Sequence, residues 1–204
     1  MPEHPLVFVG VVALLTITPG ADMAMVARSV FTGGRRDAFA TTLGISAGCF
    51  AWACASALGV AAVLAASQTA YDALRLVGAV YLIWLGVQSL LAARRGLPAV
   101  ADAPRAKGNP FRQGLLTNLF NPKIAVFYST FLPQFIAPGD SALAVSMLLA
   151  CVHIAFGVGW LSLYAWLLSR AIEAFRGSRL RRALDGLTGT VLVALGVRLA
   201  VQRD

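Results

Sequence analysis

Two short stretches hold the residues best placed to do chemistry. Thr18-Pro19-Gly20-Ala21-Asp22 interrupts one apolar run, and Asn118-Leu119-Phe120-Asn121-Pro122-Lys123 interrupts another. Each sets a helix breaker beside a charge, one acidic and one basic. Pro19 removes a helix donor and Gly20 accepts almost any backbone conformation, so together they free carbonyls before the break and N–H groups after it. Pro122 disfavours helix at Asn121. Such a set suits a ligand that is itself a zwitterion. Lys123, the Asn118 and Asn121 amides and the freed N–H groups would meet a carboxylate, and Asp22 and the freed carbonyls an ammonium. Pro19, Gly20, Asp22, Asn118, Asn121, Pro122 and Lys123 are therefore the candidate substrate-binding residues. The plainer readings are a simple proline kink, a structural salt bridge from Asp22 to Lys123 or Arg28, and snorkelling of Lys123 toward the surface. Asp22 and, less favourably, His153 are candidate proton carriers.

The elements that position these groups are membrane helices. Of the 204 residues, 58% are apolar and only 13% charged, and apolar runs of about 20 residues recur throughout. Six spans are expected, at Leu6–Val30, Ala38–Ala66, Tyr71–Ala93, Leu115–Phe135, Ala142–Leu168 and Leu184–Val201. Met1-Pro2-Glu3-His4-Pro5 lacks the basic residues of a signal peptide, so the first run is expected to stay as a span. Hydrocarbon tolerates a break or a charge only where protein or a water-filled cavity surrounds it. Asp22 is the one acidic residue well inside any span.

Charge sets the topology. Thirteen of the seventeen Lys and Arg residues fall in three alternate loops: Arg28, Arg35 and Arg36; then Arg94, Arg95, Arg105, Lys107 and Arg112; then Arg170, Arg176, Arg179, Arg181 and Arg182. The positive-inside rule puts these loops in the cytoplasm and both termini outside, with Arg28, Arg35 and Arg36 as topology anchors after the first span. The net charge of +8 thus follows topology and membrane lipid rather than nucleic acid.

Three spans per half is an odd number, so the second half enters the membrane from the opposite side. The expected fold is all-α and integral to the membrane: six transmembrane helices as two inverted three-helix repeats, with helices 1 and 4 broken at their Pro-containing motifs. The whole chain, 1–204, is then one transporter domain, with repeat A over about 5–93, a linker over 94–113 and repeat B over about 114–204. Leu82-Ile83-Trp84-Leu85-Gly86-Val87 and Leu192-Val193-Ala194-Leu195-Gly196-Val197 echo each other between the halves. At about 1.5 Å per residue, Asp22 lies roughly 9 Å from the cytoplasmic end of its span and Lys123 roughly 12 Å. The two charges can face one cavity. Gly44-x-x-x-Gly48, with Ala51, Ala55 and Gly59 beyond it, makes a stripe that lets helix backbones approach closely.

Other chemistry finds little support. Cys49, Cys54 and Cys151 form no C-x-x-C and are expected to pack. No metal cluster, carboxylate pair or nucleophile–base arrangement stands at membrane depth, so neither an enzyme nor a cofactor is expected. Phe131-Leu132-Pro133-Gln134-Phe135 closes the fourth span as an outer gate or an interfacial belt. An ion or osmolyte channel is the main rival, though it gives no reason for one buried Asp and one buried Lys. A homo-oligomer is left open.

Read in order, these motifs resemble the LysE/RhtB family of amino-acid exporters, nearest its homoserine/threonine-type branch. The resemblance rests on Thr18 to Asp22, Ala27-Arg28-Ser29, Gly33-Gly34-Arg35-Arg36, Gly44-Ile45-Ser46-Ala47-Gly48, Gly78 to Gly86, Phe111 to Lys123 and Phe131 to Phe135. It covers nearly the whole chain. The family's first motif usually reads P-G-P, and here Ala21 replaces its second proline. The resemblance implies efflux of amino acids or close derivatives from the cytoplasm across the inner membrane, driven by an ion gradient, with proton influx the favoured coupling. It does not name the solute.

Overall fold

In the computed structural model, helix α1 (Pro5–Ile17) stops where Pro19 withholds the N–H that the Leu15 carbonyl would have accepted. Thr18, Pro19 and Gly20 lie outside helix, and α2 (Ala21–Ala57) begins directly after them. The chain continues through α3 (Pro110–Leu119), α4 (Pro122–Val126), a π-helical turn over Phe127–Phe131 and a 3-10 turn over Leu132–Phe135. Helices α5 (Ala142–Ala174) and α6 (Ser178–Val201) complete it, and the described residues contain no strand. The structure describes residues 5–59, 108–137, 139–174 and 178–201, and scattered helical positions between 69 and 91. The end of the expected second span beyond residue 59, much of the third, and linker positions 94–107 lie outside the described residues.

Helix α2 is two legs rather than one rod. Gly34 has φ 73° and ψ −162°, a conformation that suits glycine and few other residues. Ser29 and Thr41 share a 2.7 Å hydroxyl hydrogen bond across it. Twelve residues of straight helix would separate them by about 18 Å, so the legs fold back on each other. The turn lies within the Gly33–Arg36 motif, but it is tighter than the gap between Val30 and Ala38 marked by hydropathy. A single glycine reverses the chain, and the polar residues around it stay helical.

Helix α3 also starts earlier than the apolar run at Leu115. Asn109 caps it, accepting from the Phe111 N–H at 2.9 Å, and Pro110 takes the first position, where no donor is needed. The helix ends at Leu119, and Asn121 caps the next one by accepting from the Lys123 N–H at 3.1 Å. The π-helical and 3-10 turns then fold the Phe131–Phe135 motif inward. Leu132 and Phe135 are buried, and Phe135 meets Phe8 edge-on with ring centroids 5.1 Å apart.

Close backbone approach fixes α3 against the second leg of α2. A Cβ on Gly44 would fall 2.0 Å from the Phe111 carbonyl oxygen, and one on Gly114 would fall 2.1 Å from that of Thr41. Thr41 also donates to the Pro110 carbonyl at 3.3 Å. The stripe does this work at Gly44 and Gly48; Ala55 packs half-buried against the core, and Ala51 and Gly59 are exposed. Three apolar clusters surround the frame. One joins α1, α2, the Ile124–Phe135 stretch and α5; one joins Ala21, Ala24 and Met25 to Ala79 and Leu192; one joins both legs of α2 to Leu161 and Ala165 of α5.

Among the described residues, Ala21–Ala57 and Ala142–Ile172 are long and apolar enough to cross a membrane, and Pro5–Ile17 and Gly186–Arg198 are shorter apolar helices. Large apolar side chains face outward along these elements, among them Leu6, Leu14, Leu148, Leu163 and Leu167. That surface suits hydrocarbon.

Candidate functional site

The two breaks are stitched to each other. Pro19 leaves the Leu15 carbonyl without its usual partner, and Lys123 takes it, its Nζ donating to Leu15 O at 3.2 Å and to Thr18 O at 3.1 Å. The ammonium thus caps the C-terminal end of α1, where the helix dipole favours a cation. Gly20 eases the approach, since a Cβ there would lie 3.3 Å from Lys123 Nζ and press it aside by a few tenths of an ångström. From the same half as Lys123, Asn118 Nδ2 donates to Asp22 Oδ2 at 3.1 Å, tying the end of α3 to the first turn of α2. That first turn is where a helix favours an acid.

Asp22 and Lys123 make no direct ion pair. Lys123 is held by carbonyls and Asp22 by an amide, although both line the same cleft. The second oxygen, Asp22 Oδ1, is buried and has no hydrogen-bond partner. So is Thr16 Oγ1, on the same cleft. An unpaired buried carboxylate oxygen is costly, and it marks a place where a cationic or N–H-bearing group would be welcome. A third donor of Lys123 remains free for an anion, since an ammonium has three and two are spent.

The cleft is small, about 40 Å³, and open on one side. Its polar wall carries Thr16, Thr18, Asp22, Ser46 and Lys123, and its apolar wall Met23, Ile45, Ile124, Ile154 and Leu161. Helix α5 contributes His153, Ile154, Gly157 and Leu161, spaced so that they share one helical face.

The candidate residues divide by position. Gly20, Asp22 and Lys123 line the cleft; Asn118 and Asn121 are buried and do not. Asn118 sits in a niche that exists because residue 48 is glycine: a Cβ there would lie 2.5 Å from Asn118 Oδ1. Its Nδ2 is also 3.6 Å from Cys49 Sγ. Asn121 spends Oδ1 on the cap and keeps Nδ2 buried without a partner. Pro19 is exposed and Pro122 partly buried, and neither is on the cleft wall. His153 lines the cleft while its Nδ1 lies 3.1 Å from the Tyr128 hydroxyl, with the rings stacked.

Arg28 differs from the surface anchor that its charge suggested. It is 6% exposed and donates from Nη1 to Gln113 Oε1 at 2.8 Å, joining the first leg of α2 to α3. Arg35 and Arg36, beside the Gly34 turn, are exposed. Cys49 is buried, but Cys54 and Cys151 are exposed rather than packed.

Sequence reasoning missed Thr16, Ser46, Cys49 and Gly157 on the cleft. The signal for Gly157 was present, since positions 154, 157 and 161 share the helical face of His153.

The family model described as LysE type translocator matches residues 13–203, a stretch that takes in both breaks. The chain is 28% identical over 199 residues to the threonine efflux protein of Escherichia coli (strain K12), covering 96% of this chain and 95% of that protein. It is 30% identical over 191 residues to the homoserine/homoserine lactone efflux protein of Salmonella typhimurium, covering 93% and 92%. An uncharacterized membrane protein of Bacillus subtilis, YrhP, is 28% identical over 202 residues, covering 95% and 96%. No solved structure matches the chain at a significant level.

Proposed function

Because the chain belongs to the LysE type translocator family, we propose that it is a secondary-active exporter of small neutral amino acids, or related zwitterions, in the bacterial inner membrane. One observation carries the reading. A buried carboxylate oxygen, Asp22 Oδ1, stands without a partner on a cleft whose other charged group is Lys123. Threonine and homoserine, two of the solutes in the relatives' names, bear both charges such a cleft would take, whereas homoserine lactone, also named, carries only the ammonium.

In this mechanism the substrate ammonium docks on Asp22 Oδ1, and its carboxylate takes the free donor of Lys123. Asn118 and Asn121 act from behind the wall: Asn118 holds the other Asp22 oxygen, and Asn121 starts the helix that carries Lys123. Proton and ammonium compete for the same carboxylate. A proton arriving from outside would displace the substrate and then leave inward, which makes the exchange an antiport; His153 is the second candidate carrier. Six spans in two inverted repeats, with both termini outside, would rock about this central site. The ties between the breaks support that arrangement, since Lys123 and Asn118 of the second half hold the opened end of α1 and the first turn of α2.

The test is export by cells loaded with dipeptides, read by metabolite profiling of the medium. Overexpression should raise efflux of one or more small neutral amino acids. Asp22→Asn should cut it at least a hundredfold while the protein stays in the membrane, as should Lys123→Ala. Normal export by both variants would sink the site. A channel would let solute run only downhill, so accumulation against a gradient in inverted vesicles separates the two readings.

A further inference from the structure

The cleft also carries a feature that speaks to the substrate's side chain. Gly157 is on its wall, yet a Cβ built there meets nothing within 4 Å. A side chain there would meet open space and not a packed neighbour, on the helical face that lines the cleft. One turn before it on α5 stands His153, held by Tyr128, and one turn after it stands Leu161, packed against Val26 and Ile45. Gly157 thus sits midway along a wall that runs about 12 Å from His153 to Leu161.

The geometry points to a side-chain recess at Gly157, walled by Met23, Ile45, Ile154 and Leu161, that admits uncharged aliphatic amino acids and sets their upper size. The inference rests on the export reading and deepens it. With the ammonium on Asp22, whose chain neighbour is Met23, the substrate's Cα lies beside the apolar wall. Asp22 and Lys123 are engaged by the zwitterion's own ends, and the other recess walls are aliphatic. A charged side chain would enter without a countercharge and pay its desolvation uncompensated. Ser46 donates to the Thr42 carbonyl at 2.9 Å, so its oxygen remains an acceptor for a short hydroxylated side chain as well. No side chain at Gly157 takes up the space beside that wall.

Counterflow into proteoliposomes tests this, with alanine, threonine, valine, leucine, phenylalanine, lysine and glutamate as competing solutes. Wild type should exchange the first four and reject lysine and glutamate. Gly157→Val, which adds three carbons, should lose leucine and valine at least tenfold while alanine stays within about twofold, since one methylene volume alone is worth about tenfold or more. Gly157→Ala should fall between, which covers the case of a valine variant that fails to insert. Leu161→Ala should gain exchange of phenylalanine, an effect misfolding cannot imitate. Loss of all solutes in equal proportion, or no change with Gly157→Val, overturns the recess and leaves the exporter standing. Inserted wild-type protein that exchanges none of the solutes overturns the export reading and the recess together.

Discussion

Lys123 is held by the backbone of another segment, and this decides what its removal does. Leu15 and Thr18 each offer it a carbonyl, and Leu15 has no helical donor because residue 19 is proline. Lys123→Met should therefore lose stability as well as transport. The Leu15 carbonyl is partly buried and that of Thr18 exposed. The loss is therefore at most that of one abandoned acceptor, about 1–3 kcal/mol, and the purified variant should unfold a few degrees lower in detergent. Lys123→Arg, which keeps the donors, should recover part of that loss. Asp22→Asn offers a contrast at the same scale. The amide can still accept from Asn118, so thermal stability should hold near wild type while export fails. If both variants unfold early and together, Asp22 is a structural residue. The charges themselves were legible in sequence from their rarity at membrane depth. Their partners were not, because a lysine that caps a distant carbonyl leaves no spacing pattern behind.

At the scale of elements, breaks and close contacts follow from single small residues. Gly44 and Gly114 face backbone with no side chain able to yield, so Gly44→Ala should prevent α3 from docking and cut the yield of folded protein severely. Gly48→Ala presses on Asn118 down to its Cβ, 2.8 Å away, so α3 itself must shift and the bond to Asp22 suffers with it; that variant should lose export and some folded yield. Gly10→Ala adds a methyl where nothing lies within 4 Å and should behave as wild type in both assays. The stripe at Gly44 and Gly48 was readable because small residues four apart lie on one helical face. The Gly34 reversal was readable as a turn but not as so tight a one, since hydropathy reports apolar length and not backbone angles. The π-helical turn at Phe127–Phe131 had no sequence signal, as its residues suit an ordinary helix equally well.

For the molecule as a whole, membrane character was plain from composition, and family membership from the order of motifs. The cleft was half legible. Asp22 and Lys123 announce themselves by charge, while Gly157 contributes by what it lacks. Arg28 shows the opposite failure, since it counts toward the topology rule yet lies buried against Gln113. The positive-inside argument for orientation therefore rests on the exposed Arg35 and Arg36 on this stretch. A cysteine placed at residue 35 should react with membrane-impermeant maleimide only after the bilayer is opened, if that turn lies inside. Reaction from outside in intact cells would invert the proposed topology.

The ties between Lys123 and α1, and between Asn118 and Asp22, carry a consequence for how the protein is made. A ribosome delivers the first half well before residue 118 exists. During that interval the Leu15 and Thr18 carbonyls and the Asp22 carboxylate lack their later partners, and the nascent half is an unfinished object that quality control can detect. Translated alone, residues 1–100 should be degraded quickly in the cell. Synthesised beside a separate 101–204 fragment, they should persist, and export should return without a peptide bond between the halves. Degradation unaffected by the second fragment would show that the halves do not need each other to become a finished protein.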